Sequence, residues 1–233
     1  MIAALLAVLS GAIWIYLVAG RGAFWRAAEL DTRFAPDDLP PPADWPRVVA
    51  VVPARNEADV IAEAVGSLLS QNYPGRFSVV LVDDQSSDGT GDAAMNEAVK
   101  LAAMDRLKII RGTEPPAGWT GKLNAMATGV RDIETGETPD YVLFTDADIA
   151  YRDPRALERL VRGAERKDTV LTSLMVKLRC DSASEKFLIP AFVFFFQKLY
   201  PFAWVNDRNN ATAAAATPSE QYSMLISRST AAA

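Results

Sequence analysis

The sequence predicts an α/β fold, a Rossmann-like and mostly parallel central sheet preceded by an N-terminal transmembrane helix. Three observations carry this expectation. Apolar, β-branched runs at residues 47–53, 77–82 and 141–145 alternate with helical patterns, as in a parallel sheet covered on both faces. Two of these runs end in acidic clusters, Asp83-Asp84 and Asp146-Ala147-Asp148, and ligands of open α/β sheets bind at strand carboxyl ends. Residues 1–20 carry no charged side chain at all.

That first stretch, as a helix rising 1.5 Å per residue, covers roughly 30 Å, the thickness of a bilayer core. Trp14 and Tyr16 lie toward its far end, and Arg21 and Arg26 follow it. A cleaved signal peptide normally begins with a basic region and has a shorter apolar core, so an uncleaved anchor over residues 1–20 is the better reading. Basic residues follow the span and none precede it, which by the positive-inside rule puts the remainder in the cytoplasm, at a bacterial inner membrane. Residues 21–46 read as a linker, with Pro36, Pro40, Pro41 and Pro42 breaking any helix. Residues 47–233 form the globular domain.

Composition narrows the chemistry. The 233-residue chain suffices for one α/β domain, and its net charge of −5 gives no sign of a nucleic-acid partner. It has no histidine, which excludes Ser-His-Asp and Cys-His catalysis and His-ligated zinc, and Cys180 is its single cysteine, so no intramolecular disulfide forms. Carboxylates remain as the obvious reactive groups.

Along the domain, the strand at 47–53 leads into Ala54-Arg55-Asn56-Glu57. A helix follows, with Val60, Ile61, Ala64, Val65, Leu68 and Leu69 on one face, and it stops at the Asn72-Tyr73-Pro74-Gly75 turn. The strand at 77–82 runs into Asp83-Asp84-Gln85-Ser86-Ser87-Asp88-Gly89-Thr90. A helix through Met95 and Leu101 and a short strand at 107–110 come next. Asp88 reads best as the cap of the helix beginning near Gly89, whereas Asp84, at a strand end, can accept hydrogen bonds from a base or ribose. No Gly-rich dinucleotide fingerprint follows either strand, which argues against NAD or FAD.

Lys122 opens a predicted helix over 122–130, where free N–H groups and a lysine suit an anion, though an ordinary surface lysine fits equally. Trp119 either packs at a pocket edge or fills the core. Asp146 and Asp148 close the apolar run 141–145. Two carboxylates so close repel unless a proton or a cation intervenes, and Mg²⁺ or Mn²⁺ takes such oxygens readily. A solvated turn is the bland alternative. A helix over 153–166 with Pro154 in its first turn, and a strand over 169–178, come after. Residues 187–196 are ten apolar residues, too few to span a bilayer. They suit either an interfacial helix against the membrane or a buried core helix. Asn210-Ala211-Thr212 fits a glycosylation sequon that the expected cytoplasmic side makes accidental.

Four motifs now stand in order: Val52-Pro53-Ala54-Arg55-Asn56-Glu57, Val82-Asp83-Asp84-Gln85-Ser86-Ser87-Asp88-Gly89-Thr90, Gly121-Lys122 and Thr145-Asp146-Ala147-Asp148. Together they resemble family 2 glycosyltransferases over roughly residues 45–210. Gly118-Trp119-Thr120-Gly121-Lys122 and Phe202-Ala203-Trp204-Val205-Asn206-Asp207 are similar to the hopene-associated branch of that family. The resemblance implies a GT-A fold and transfer from a nucleotide-diphosphate sugar with inversion at the anomeric carbon. It implies that Pro53, Arg55 and Glu57 line the nucleoside pocket, with Glu57 near the ribose. Asp84 then contacts uracil and Lys122 the diphosphate. Asp146 approaches ribose and metal, and Asp148 ligates the Mg²⁺ or Mn²⁺ that bridges the diphosphate. A lipid-type acceptor and a place in hopanoid biosynthesis complete the expected reaction.

The family's acceptor-activating carboxylate normally lies in an acidic pair well past the Asp-x-Asp. Glu220 is the one acidic residue after Asp207, and its surroundings do not resemble that motif. Residues 222–227 resemble the strand before it. The expectation is of a truncated chain, or of one that has lost half its active site, with the acceptor base beyond Ala233. Donor binding is thus expected of this chain, and transfer is in doubt. Two other readings stand beside this one. A non-catalytic nucleotide-sugar-binding or membrane-scaffold fragment predicts binding without turnover. A nucleotidyltransferase would share fold and metal but needs a Gly-rich basic loop where Pro53-Ala54-Arg55-Asn56-Glu57 stands.

Overall fold

The computed structural model describes residues 1–28, 34–36, 38–167, 171–178, 180–207 and 210, and the backbone of 224–228. The chain forms two compact units, Met1–Phe34 with Lys177–Ser219, and Ala35–Val176 with Glu220–Ala233. It opens with helix α1, Ile2–Ile15, which continues as a π-helical turn over Tyr16–Gly20. These 19 residues make a helix long and apolar enough to cross a membrane, and none of the membrane-length window is buried.

The second unit holds β1 (Val48–Ala54), α2 (Ile61–Leu69), β2 (Phe77–Asp83), α3 (Thr90–Lys100), β3 (Leu107–Arg111), α4 (Gly121–Glu134), β4 (Tyr141–Thr145), α5 (Ala156–Lys167), β5 (Leu171–Leu174) and β6 (Met224–Arg228). They make a six-stranded sheet in the order β3-β2-β1-β4-β6-β5. Strands β3, β2, β1 and β4 run parallel, and β6 runs antiparallel to both β4 and β5. The fold is therefore α/β with a mostly parallel sheet, as the alternating pattern requires.

The parallel strands are apolar throughout because both faces are covered. Val49, Val51, Val80, Val82 and Val142 on one face pack with Ala125 and Ile133 of α4. The alternate residues Val48, Ala50, Val52, Val79 and Leu81 are buried as well, as period-two side chains must be when helices lie on both sides. In α2 the apolar stripe Ile61, Ala64, Val65, Leu68 and Leu69 is buried, and α2 packs against α3 and β2. Gly129 of α4 is where helix and sheet approach most closely, since a Cβ there would lie 2.5 Å from Val51 Cγ1.

Several boundaries move. Helix α4 runs to Glu134 rather than Val130, because Ile133 is still on its buried face. Asp153 and Pro154 lie in a turn before α5, where Asp153 Oδ1 accepts from the Arg155 N–H at 2.8 Å. Pro154 is therefore outside the helix, while Leu157, Leu160 and Val161 point inward as expected. The strand expected over 169–178 is β5, and it ends at Leu174 where its pairing with β6 ends. Residues 169 and 170 lie outside the described ones, as do Ala211, Thr212, Glu220 and Tyr222 of the sequence readings.

In the first unit, α6 (Ala183–Leu199) begins with a capping box between Ser182 and Glu185 and is followed by α7 (Phe202–Val205). Phe196 is its buried residue, whereas Phe187, Leu188, Phe192 and Phe195 are exposed. The buried-core alternative for 187–196 is corrected accordingly: the sequence run is apolar on every side, and the chain covers only a narrow part of it.

Candidate functional site

Because β1, β2, β3 and β4 are parallel, the segments after Ala54, Asp83, Arg111 and Thr145 emerge at one edge of the sheet. Chain order reverses between β1 and β4, so a crevice opens there. The loops after β1 and β2 are laced together. The Asp84 N–H donates to the Ala54 carbonyl at 2.8 Å. Asn56 N–H donates to Ser86 Oγ at 3.0 Å, Glu57 N–H to Thr90 Oγ1 at 2.9 Å, and Ser87 N–H to Asn56 Oδ1 at 2.9 Å. Asn56 and Gln85 hold left-handed backbone angles, with φ of 54° and 62°, which non-glycine residues adopt rarely.

Asp88 takes part in the same lacing. Oδ2 accepts from the Ala58 N–H at 3.0 Å, and Oδ1 accepts from the Thr90 N–H at 3.0 Å and its hydroxyl at 2.6 Å. These bonds hold its carboxyl below the ordinary range, the Thr90 hydroxyl contributing most. The cap position itself belongs to Gly89. Asp88 thus serves the helix start from one residue upstream and fastens the β1 loop as well, a second role that spacing alone does not reveal.

Asp84, directly after β2 at the same sheet edge, is 4 % exposed. Arg55 Nη1 stands 3.6 Å from its Oδ2. Its Oδ1 is buried without a hydrogen-bond partner, a costly state that asks for a donor from elsewhere. Glycines wall this carboxylate: a Cβ at Gly112 would lie 2.9 Å from Asp84 Oδ1, and one at Gly121 would lie 3.0 Å from Oδ2. Motif reading passed over Gly112, although a glycine directly after an apolar strand is a signal for close backbone approach.

Across the crevice, Asp146 is half-buried and Asp148 exposed. Lys122, in the first turn of α4, brings Nζ to 2.7 Å from Asp146 Oδ1. Thr120 caps that helix by accepting from the Leu123 N–H at 3.3 Å. The Lys122–Asp146 pair is partly exposed, so it contributes at most about 1 kcal/mol and exchanges readily for another partner. Tyr151, buried and overlooked in the sequence, fixes the turn from beneath by donating its hydroxyl to Thr145 Oγ1, and its N–H donates to Ser67 Oγ at 2.9 Å. Burial pushes its phenol well above the ordinary range. Trp119 is 51 % exposed, so its core-filling alternative is corrected; Pro53 sits inside β1, opposite Val82.

Glu57 joins the acidic edge electrostatically. Burial raises its carboxyl above the ordinary 4.5, and the charges of Asp148, Asp88 and Asp146 raise it further. The folded state therefore binds this proton more tightly than the unfolded chain, and stability falls as pH rises through the window above 4.5. Glu57→Gln removes that penalty. Its gain in melting temperature over wild type should be larger at pH 7 than at pH 4. Equal gains at both values would mean that neither burial nor the neighbouring carboxylates raise Glu57 on folding.

Among the described residues no group of three or more His, Cys, Asp or Glu side chains is placed to hold a metal ion. Asp146 and Asp148 nevertheless fit one kind of site. Mg²⁺ is typically bound through one or two carboxylates together with substrate phosphates, and hard oxygen donors at an exposed strand end are that set. An acidic edge that already raises Glu57 also favours an added cation.

An open, mostly parallel α/β sheet with acidic residues at a switch point belongs to the class of architectures that take ligands at the carboxyl ends of their strands. The sequence profile of glycosyl transferase family 2 matches residues 49–213, and the chain belongs to that family. It is 32 % identical over 106 residues to the probable glycosyltransferase YdaM of Bacillus subtilis, covering 45 % of this chain and 23 % of that protein. It is 27 % identical over 162 residues to an N-acetylglucosaminyltransferase of Mesorhizobium japonicum, covering 68 % of this chain and 35 % of that one. The fold is similar to the mannosyltransferase PcManGT of Pyrobaculum calidifontis, solved with GDP-Man and Mn²⁺. The TM-score is 0.58 at 27 % identity, over 93 % of this chain and 55 % of that one. The chain thus spans well under half the length of these curated relatives.

Proposed function

We propose that the sheet-edge crevice binds a nucleotide-diphosphate sugar, a UDP-sugar by preference, and that the whole protein is a membrane-anchored inverting glycosyltransferase with a lipid-type acceptor. The buried, half-satisfied Asp84 carboxylate beside Arg55 carries this reading. Such a group recognises a ligand N–H, and the imide N–H of uracil is one. Glu57, in the neighbouring loop, suits the ribose hydroxyls, and Pro53 closes the nucleoside side. Lys122 at the amino end of α4 suits the diphosphate, joined there by the free N–H groups of the helix. Asp146 and Asp148 would hold Mg²⁺ or Mn²⁺, which when bound neutralises charge on the departing nucleoside diphosphate.

Family membership supports the reaction class, and the Mn²⁺ in the mannosyltransferase neighbour supports the metal. The residue 1–20 anchor, the 21–46 linker, a cytoplasmic domain from residue 47 and a place in hopanoid chemistry belong to the same proposal. The apolar Ile2–Gly20 helix and the Gly118-Trp119-Thr120-Gly121-Lys122 wording support them. The acceptor-side base is not assigned to a described residue. The nucleotidyltransferase alternative finds no support in the family match.

Calorimetry of the full chain with a UDP-sugar, with and without Mn²⁺, tests the proposal. Binding should be metal-dependent, and Asp84→Ala should weaken it roughly 10–150-fold, the loss of a hydrogen bond to a charged group. A variant that binds UDP- and GDP-sugars as wild type does would remove Asp84 from base recognition.

A further inference from the structure

We propose that α6 lies sunk in the membrane leaflet at which the Ile2–Gly20 helix ends, a second membrane contact that does not span. This rests on the reading of Ile2–Gly20 as a membrane anchor. Residues 187–196 form ten consecutive apolar positions within α6, about 15 Å of helix and half the bilayer core. Phe187 is 80 % exposed and Leu188 62 %, with Phe192 at 53 % and Phe195 at 51 %. A helix that is apolar all round belongs in a core or a membrane, and the chain itself covers little of this one. So large an exposed apolar surface marks an interaction site.

The contacts at its carboxyl end say what covers it. Arg21 is the first charged residue after the span. It donates from Nε to the Lys198 carbonyl at 2.6 Å and from Nη2 to the Leu199 carbonyl at 3.0 Å. Its guanidinium lies 5.3 Å over the Trp204 ring, and Phe24 packs edge-on against Phe194 with ring centroids 5.1 Å apart. The last turn of α6 is therefore held at the level where the span leaves the hydrocarbon. Trp25 is fastened there too, its Nε1 donating to the Val18 carbonyl at 3.0 Å, and such aromatics favour the headgroup boundary. Both ends of α6 are charged, Glu185 and Lys186 at one and Lys198 at the other. With charged residues at both ends and the middle apolar, the helix lies flat and immersed, and the Lys198 ammonium lies 5.1 Å over the Phe195 ring, a cation–π contact that eases its place at the boundary.

The test uses the full chain with Cys180→Ser. Single nitroxide labels are placed through Leu9→Cys, Ala183→Cys, Phe187→Cys or Phe195→Cys, in vesicles of phosphatidylcholine with a minority of phosphatidylglycerol. Accessibility to oxygen relative to a water-soluble nickel chelate is read at each label. Phe187 and Phe195 are exposed, so the substitutions should leave the fold intact, which circular dichroism checks. The oxygen-to-nickel ratio at both should exceed Ala183 severalfold and lie below Leu9, which sits deeper, near the middle of the span. Ratios at Phe187 and Phe195 equal to Ala183, with Leu9 lipid-like, overturn the inference and leave the anchor standing. Aqueous values at Leu9 as well overturn the anchor reading and this one with it. Immobile labels shielded from both reagents mean that protein covers α6, and also overturn it.

Discussion

Asp148→Asn should abolish the metal-dependent part of nucleotide-sugar binding, a loss of at least about 100-fold in the presence of Mn²⁺. That magnitude follows because perturbing even the groups that merely orient metal ligands costs 10–100-fold, and this substitution removes a ligand charge outright. Without metal the variant should bind no worse than wild type, because one repulsive charge has left the edge that also raises Glu57. The two carboxylates are not equivalent. Asp146 is already paired with Lys122 at 2.7 Å, whereas Asp148 is exposed and freer to turn toward an incoming cation. Among the described residues no larger ligand cluster exists, so metal alone should bind weakly and nucleotide should complete its shell. Calorimetric titrations of both chains, with metal and nucleotide each in turn, read all of this. Undiminished Mn²⁺ dependence in the variant would falsify the assignment of Asp148.

Leu143→Ala should cost about 2–5 kcal/mol of stability, the usual range for deleting a fully buried leucine side chain. Leu143 is 0 % exposed in β4, paired in register with Ala50 of β1 and Ile226 of β6. A cavity at that crossing loosens the strand that delivers Thr145, Asp146 and Asp148 to the edge. A thermal melt of the full chain in detergent, followed by far-ultraviolet circular dichroism, should fall by roughly 4–20 °C. Donor affinity should drop far less than in Asp148→Asn, because the cavity lies below the crevice. A melt within about 1 °C of wild type would mean that the second unit does not limit stability, since a single kilocalorie already moves a domain of this size by more.

The strands were legible because burial on both faces leaves so few residue types. In residues 47–53 and 141–145 almost every side chain is apolar, and in β1 and β4 almost every one is buried. The helical stripe of α2 was legible for the same reason. Boundaries set by neighbours were harder. β5 stops where β6 stops pairing with it, and Pro154 is excluded from α5 by a turn that Asp153 makes with the backbone. Exposure was ambiguous wherever a run was uniformly apolar, since residues 187–196 and Trp119 fit a core as well as a surface by composition.

At the crevice, the order of residues along the chain already fixes which groups are present: carboxylates, Arg55 and Lys122, placed after apolar strands, in a chain without histidine. It also determined that parallel strands would carry these groups to a single edge. How they meet depends on packing between elements far apart in the chain. Asp84 is left with one orphaned oxygen because Gly112 and Gly121 bring backbone against it, and Lys122 reaches Asp146 because Thr120 and Gly129 set where α4 starts and how closely it lies on the sheet. Patterning along a chain reports whether a side chain faces water or protein. Distances of a few ångströms between loops far apart in sequence depend on how closely the backbones pack, and that is fixed only when the whole sheet is assembled.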